Sequence, residues 1–357
     1  GACWRPSKRG HPKIGNLRYM KYKLLSIKGQ GGVNIGDYIQ ALASSQFLPQ
    51  IDGFIDRERL KDYNSEECKL IMNGWYMHNA QQWPPSSKII PLYVAVHFNS
   101  TVKDKLLSNE SIAYLKQYEP IGCRDTNTVK LLQSKGVNAY FSGCMTLTLG
   151  RNYHSEIKEN KYYFVDPCFV THWNLYTTFY NAIYLLFHWR PICIIAKKHP
   201  DPKKGLRKKM IMTAFYREYK RFFRKEILIN AEYINQQSIE YIRKFSTDEE
   251  LLKEAERLVK CYAKAKLVVT SRIHCALPCL GLGTPVIYTE DAHQSEASAC
   301  RFGGLRELFN ILKWNNGHLV KEFGGKIPLD DTSSWSNKAT WKELAERLAT
   351  QCTRFCK

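Results

Sequence analysis

The sequence predicts an α/β fold in two lobes, each a parallel sheet wrapped by helices, and three observations carry that prediction. A chain of 357 residues is too long for one comfortable core and suits two domains of ordinary size. Short apolar, strand-like runs alternate with helical patterns along most of its length, as they do in parallel β-α units. A polar stretch from Gly150 to Asn160 divides two such series, as a domain boundary does.

The first series opens with a strand at Tyr22–Ile27, passes a glycine-rich loop from Gly29 to Gly36, and enters an amphipathic helix through Tyr38, Ile39, Leu42 and Phe47. Apolar runs follow at Leu70–Met72, Ile89–Val96 and Pro120–Cys123. A helix over Thr126–Ser134 stops at Gly136, and a strand covers Asn138–Phe141. In the second series the pattern predicts a strand at Tyr162–Val165, a helix around Asn174–Phe187, strands around Pro191–Ile195 and Ile227–Asn230, and a helix over Thr247–Lys264.

The most regular unit comes next: strand Leu267–Thr270, turn Ser271–Arg272, helix Ile273–Leu282, Gly283 as its stop, and strand Pro285–Tyr288. An amphipathic helix over Lys338–Cys352, with Trp341, Leu344, Ala345 and Leu348 on one face, is expected to pack back on the first lobe. The resulting plan is a leader or appended segment at 1–19, a first Rossmann-like lobe over 20–150, a second over 151–336, and the terminal helix over 337–357.

Hydrophobic residues at 44% and charged residues at 24% describe a chain able to bury a substantial core. The 53 Lys and Arg against 33 Asp and Glu leave a formal charge of +20, which points to an anionic partner: nucleic acid, an acidic membrane face or a phosphorylated substrate. No zinc finger, RNP-type strand or helix-turn-helix signature supports a nucleic-acid-binding protein. Twelve scattered cysteines lack any Cys-x-x-Cys pair and read as reduced thiols of a cytoplasmic protein. The most apolar stretch, Phe179–Ala196, is interrupted by Asn181, His188, Arg190 and Pro191, whereas a membrane span needs about 20 largely apolar residues.

In open α/β sheets, ligands meet the carboxyl ends of strands, where helix N-termini present N–H groups and positive dipole ends. Two segments fit that geometry. In the glycine-rich loop, Asn34, Gly36 and Asp37 suit sugar hydroxyls, although a plain tight turn with Asp37 as a helix cap fits the same residues. In the second, Thr270–Pro278, Ser271, Arg272 and His274 stand at a strand end opening a helix, so that a fixed cationic fork and a titratable imidazole share the positive end of a dipole. Such a group of residues suits a phosphate or carboxylate. No ligand-spaced cluster calls for a metal.

A basic segment holds Lys208, Lys209, Arg217, Arg221 and Arg224 among Met210, Phe215, Tyr216, Tyr219, Phe222 and Phe223. Mixed basic and aromatic residues suit a helix lying on an anionic membrane surface; aromatics that simply pack on the core are the other reading.

Four motifs in order, Asn34-Ile35-Gly36-Asp37, Gly122-Cys123-Arg124-Asp125, Ser142-Gly143-Cys144 and Ser271-Arg272-Ile273-His274 followed by Gly281-Leu282-Gly283-Thr284-Pro285-Val286, resemble the polysaccharide pyruvyl transferase family. The resemblance implies a fold like that of GT-B glycosyltransferases, with the acceptor on the first lobe and the donor, phosphoenolpyruvate, on the second. It implies that Arg272 and His274 belong to the donor site and catalyse transfer of a pyruvate ketal, with no cofactor beyond phosphoenolpyruvate as co-substrate. Arg124 becomes a second donor-site arginine, an ion pair with Asp125 being its other reading, and Asp37 or Glu290 the base. The acceptor implied is a sugar of a surface polysaccharide or of its polyprenyl-diphosphate-linked precursor, made at the inner face of the cell membrane. A nucleotide-sugar glycosyltransferase of the same fold is the alternative.

Overall fold

The computed structural model describes residues 19–27, 33–171, 173–293 and 300–357. Residues 1–18 of the expected leader at 1–19, the loop glycines Gly29, Gly31 and Gly32, and Gln294-Ser295 lie outside the described residues.

Among the described residues two six-stranded sheets are joined by helices, giving a bilobed α/β architecture. The first sheet has the order β3-β1-β4-β5-β6-β7, every pair parallel. Its strands are β1 (Lys21–Ser26), β3 (Phe54–Asp56), β4 (Cys68–Tyr76), β5 (Ile89–Phe98), β6 (Ile121–Cys123) and β7 (Ala139–Phe141). The second has the order β14-β13-β12-β11-β8-β9, from β8 (Tyr162–Val165), β9 (Glu232–Ile234), β11 (Leu267–Thr270), β12 (Val286–Asp291), β13 (Asn310–Asn315) and β14 (His318–Lys321). Strands β8 and β11 are buried along their whole length, as central parallel strands covered on both faces must be. Only the β13–β14 pair of this sheet is antiparallel. Its two-residue turn, Asn316-Gly317, has positive φ at both positions (48° and 84°), the conformation that Asn-Gly adopts most readily.

The helices that matter for the site are α1 (Ile35–Ser45), α4 (Thr126–Gln133), α11 (Asp248–Lys264) and α12 (Ile273–Gly281). Between them in the chain lie the short α2 (Lys103–Leu106), α3 (Asn109–Lys116) and α5 (Gly150–Tyr153), and then α6 (Leu175–Phe187), α7 (Trp189–Lys198), α8 (Gly205–Tyr219), α9 (Lys225–Asn230) and α10 (Glu240–Lys244). Helix α11 begins with a full capping box, Thr247 and Glu250 each satisfying the other's backbone N–H.

Two predicted strands are helices. Pro191 stands third in α7, inside the first turn, where a missing N–H costs nothing; Ile192 and Ile195, three apart, both face the core, which is helical spacing. The run Ile227–Asn230 belongs to α9; an apolar stretch this short satisfies either period.

The lobes are not loosely tethered. One continuous core holds Tyr38, Ile39 and Leu42 of α1 together with Leu251, Ala255, Leu258 and Val259 of α11 and Cys275–Leu277 of α12, and Tyr38 donates to Asp248 at 2.6 Å. A short antiparallel pair, β2 (Val33–Asn34) with β10 (Gln237–Ser238), bridges the lobes above it. Gly150 and Gly281 lie at a close approach. A Cβ on Gly150 would overlap the Gly281 carbonyl, and one on Gly281 would overlap the carbonyl of Leu147. The C-terminal helix Trp341–Cys356 lies against the first lobe, its end accepting from Tyr22 Oη (3.2 Å, Cys356 O) and Lys69 Nζ (2.6 Å, Phe355 O).

Candidate active site

Three helices from both lobes begin at one place. Helix α4 opens at its cap Asp125, immediately after Arg124; α1 opens at its cap Asn34, whose Oδ1 accepts from Gly36 N at 3.0 Å; α12 opens at its cap Arg272. Each directs the positive end of its dipole inward from a strand end.

His274, in the first turn of α12, stands where these helices meet. Its ring is nearly buried, with Nε2 3.3 Å from Arg124 Nη1 and Nδ1 3.4 Å from Gln40 Nε2. A guanidinium and an amide nitrogen both only donate, and a neutral imidazole has one acceptor nitrogen, so the ring accepts from Arg124 at Nε2 or from Gln40 at Nδ1, one at a time. Gln40 also reaches Asp37 Oδ1 at 3.1 Å. Asp37, Gln40, His274 and Arg124 thus form a side-chain chain from the first lobe through the second and back. Gly36 makes this possible: a Cβ there would lie 2.8 Å from His274 Cβ. Its place is against His274. Burial inside α12 is compatible with the irregular backbone of His274 (φ −81°, ψ 15°), which departs from the helix at the residue bearing the imidazole.

Arg272 stays half-exposed and is aimed by Asp166, whose Oδ2 accepts from its Nε at 2.9 Å. Asp166 has φ of +43°, a left-handed conformation costly for most residues but tolerated by Asp. The surroundings fix it several times over: its N donates to Ile234 O (3.0 Å), its carbonyl accepts from Ser271 Oγ (2.6 Å), and its carboxylate also accepts from Gln236 N (2.9 Å). Strain held this firmly at a strand end is the pattern of a functional position. Ser271, placed in the sequence as a donor ligand, thus has its hydroxyl engaged on Asp166.

Arg124 is buried on the other side, its N donating to Val96 O at 2.7 Å. The carboxylate of Asp125 accepts from Thr128 N (2.8 Å) and lies 2.6 Å from His97 Nδ1. Burial pushes the Cys123 and Cys144 thiols of the neighbouring motifs up, which makes them packing groups rather than thiolate nucleophiles. Glu290 is not joined to this group by the contacts above: Arg306 grips it in a two-pronged pair (2.7 and 3.2 Å) beside Lys313, at a separate recess lined with Phe302 and Gly303. Asp37 is joined to the group around His274 through Gln40, and Glu290 is paired elsewhere.

Gln40 and Asp166 escape a reading by motif. Gln40 had a signal, lying three residues after Asp37 on the same helical face; Asp166 had one as an acid directly after the strand Tyr162–Val165.

In the basic segment the reading in which the aromatics pack on the core holds. Phe215, Tyr216, Tyr219, Phe222 and Phe223 are buried in the second core, so the segment's aromatics pack inward. Lys208 donates to His199 O, Arg217 to Asn181 Oδ1, Arg221 to Glu218 and Arg224 to Asp330, while Lys209 lies 4.1 Å above the Trp189 ring. Among the described residues no helix is long and apolar enough to cross a membrane, and no group of three or more metal-binding side chains is placed to hold an ion.

A sequence model of the polysaccharide pyruvyl transferase family matches residues 34–291. No curated protein matches the chain. A crystal structure of a functionally uncharacterised protein from Klebsiella pneumoniae subsp. pneumoniae NTUH-K2044 is 15% identical, with 79% of this chain and 87% of that one covered and a TM-score of 0.40.

Proposed function

Since the chain belongs to the polysaccharide pyruvyl transferase family and is an enzyme of that class, we propose that it transfers pyruvate from phosphoenolpyruvate to a pair of hydroxyls on a surface-polysaccharide sugar as a ketal. The observation that carries this reading is the pairing of His274 with Arg124 across the lobes, beside Arg272 on its Asp166 support. Two guanidiniums and three helix N-termini suit a small ligand bearing both a phosphate and a carboxylate.

The chemistry follows from which atoms must move. Protonation of the donor's methylene carbon leaves a cationic centre at the ester carbon, which one acceptor hydroxyl attacks, losing its proton to a base. The ester C–O bond then breaks with its electron pair going to phosphate, and the second hydroxyl closes the ring. One proton is taken up at carbon, two leave the hydroxyls, and one remains with inorganic phosphate. His274 is the proposed acid. An incoming anion draws Arg124 off Nε2, which then takes a proton from solvent and delivers it to the methylene carbon, the first hydroxyl's proton returning to solvent through the base. Asp37, at the far end of the same chain of side chains, serves as base, and Asn34 beside it faces the acceptor.

The two sheets with their meeting helix N-termini support a GT-B-like arrangement, acceptor on the first lobe and donor on the second. In this reading the enzyme works in the cytoplasm on a polyprenyl-diphosphate-linked sugar. The test is incubation with phosphoenolpyruvate and a lipid-linked oligosaccharide: release of phosphate with the mass gain of one pyruvate ketal is expected. Turnover of a nucleotide sugar instead, or stabilisation by UDP or GDP and not by phosphoenolpyruvate, would overturn it.

A further inference from the structure

Helix α6 has an outward face that nothing in the described chain covers. Leu175, Tyr176, Phe179, Leu186 and Phe187 are each 70–92% exposed, and with Ile183 they fall within one arc of the helix at 100° per residue. On the opposite side, Asn181 and Leu185 are buried against the second lobe. The helix, LYTTFYNAIYLLF, carries no charge at all. Apolar surface this continuous is seldom left in water by a soluble protein.

Cations fringe this face. Arg217 lies over the Tyr180 ring at 5.4 Å and Lys209 over Trp189 at 4.1 Å; Lys220 Nζ is 3.4 Å from His188 Nε2, and Arg190 is exposed next to Trp189. An apolar centre with a basic margin and two exposed tryptophans, Trp173 and Trp189, has a specific complement: hydrocarbon bordered by negative headgroups, with the indoles at the boundary. A second copy of the chain does not supply it, because an isologous contact would bring like margins together. We infer that α6 is a membrane-docking helix, lying in the interface of an anionic bilayer with Arg190, Lys209 and Lys220 on the headgroups. The lipid-facing element is then α6, and the basic segment contributes only its charges.

This assignment is independent of the donor chemistry, and its test is separate. Flotation with phosphatidylcholine vesicles containing phosphatidylglycerol should carry the full chain, and vesicles of phosphatidylcholine alone should carry much less. The variant Phe179→Ser/Leu186→Ser/Phe187→Ser should bind the anionic vesicles at least about tenfold more weakly while keeping the thermal midpoint and donor-dependent stabilisation of the parent. Arg190→Ala/Lys220→Ala should lower binding and its salt sensitivity. Emission assigned through Trp189→Phe should shift to the blue on binding. Absence of vesicle binding by the parent chain overturns the inference, as does undiminished binding by the α6 variant. Concentration-dependent self-association that the α6 variant abolishes, without vesicle binding, would assign the face to a second copy instead.

Discussion

Arg124 Nη1 and His274 Nε2 lie 3.3 Å apart although 150 residues separate them in the chain. The contact joins the lobes at the point where three helices start.

His274→Ala should cut phosphate release from phosphoenolpyruvate by about 10²–10⁴, the usual worth of a positioned acid, with an unchanged circular dichroism spectrum. His274→Gln, which retains an acceptor for Arg124, should fold equally well and be just as inactive. Full activity in either variant removes the proposed acid.

Asp166 is predicted to be a positioning residue for Arg272. Asn tolerates left-handed φ and preserves shape at +43°, so Asp166→Asn should fold normally but release Arg272. The Michaelis constant for phosphoenolpyruvate should rise about tenfold, in line with one charge-assisted hydrogen bond, with kcat changed much less. An equal fall in kcat at constant Michaelis constant would place Asp166 in the chemistry itself.

Gly281→Ala should destabilise the chain by about 1–3 kcal/mol, the cost of overpacking a filled interface, read from the urea midpoint. The obstacle is the Leu147 backbone carbonyl, which has no rotamer to yield, so the lobes must separate and activity should fall as well. Gly324→Ala, where nothing lies within 4 Å, meets no such obstacle.

His199 gives a pH signature of stability remote from the site. Burial holds its pKa down at about 4 against an ordinary 6.5, among Phe169, Phe215 and Tyr233. The unfolded chain binds this proton more readily, so the stabilisation is complete above pH 6.5 and declines as pH falls towards 4, by about 3 kcal/mol in all. His199→Asn, which keeps an acceptor for Asp201 N, should flatten urea midpoints measured across that window.

The parts of the fold legible in sequence were those whose local signals agreed with the tertiary outcome: the capped helix α11 and the unit β11-α12-β12. Helix α7 was obscured because a first-turn proline followed by isoleucines looks the same as a strand start until burial selects the period. The β13–β14 hairpin was announced by Asn316-Gly317, a strong turn signal, but an expectation of alternating helices and strands leaves no room for an antiparallel edge. At the site, Arg272 and His274 were visible at a strand end opening a helix, and Arg124 through its motif. That Arg124 meets His274 was not, since the contact exists only once two lobes close on each other. Glu290 illustrates the reverse: its acidity was visible, whereas its capture by Arg306 depended on a segment with no pattern of its own.

The most direct measurement is calorimetric binding of phosphoenolpyruvate to the parent chain, to Arg124→Ala and to Arg272→Ala. Saturable binding of one molecule, weakened at least about tenfold in each variant by loss of a charge-assisted contact, is the predicted result. Failure of the parent to bind phosphoenolpyruvate, or equal affinity in all three proteins, would contradict a donor site between Arg124, Arg272 and His274.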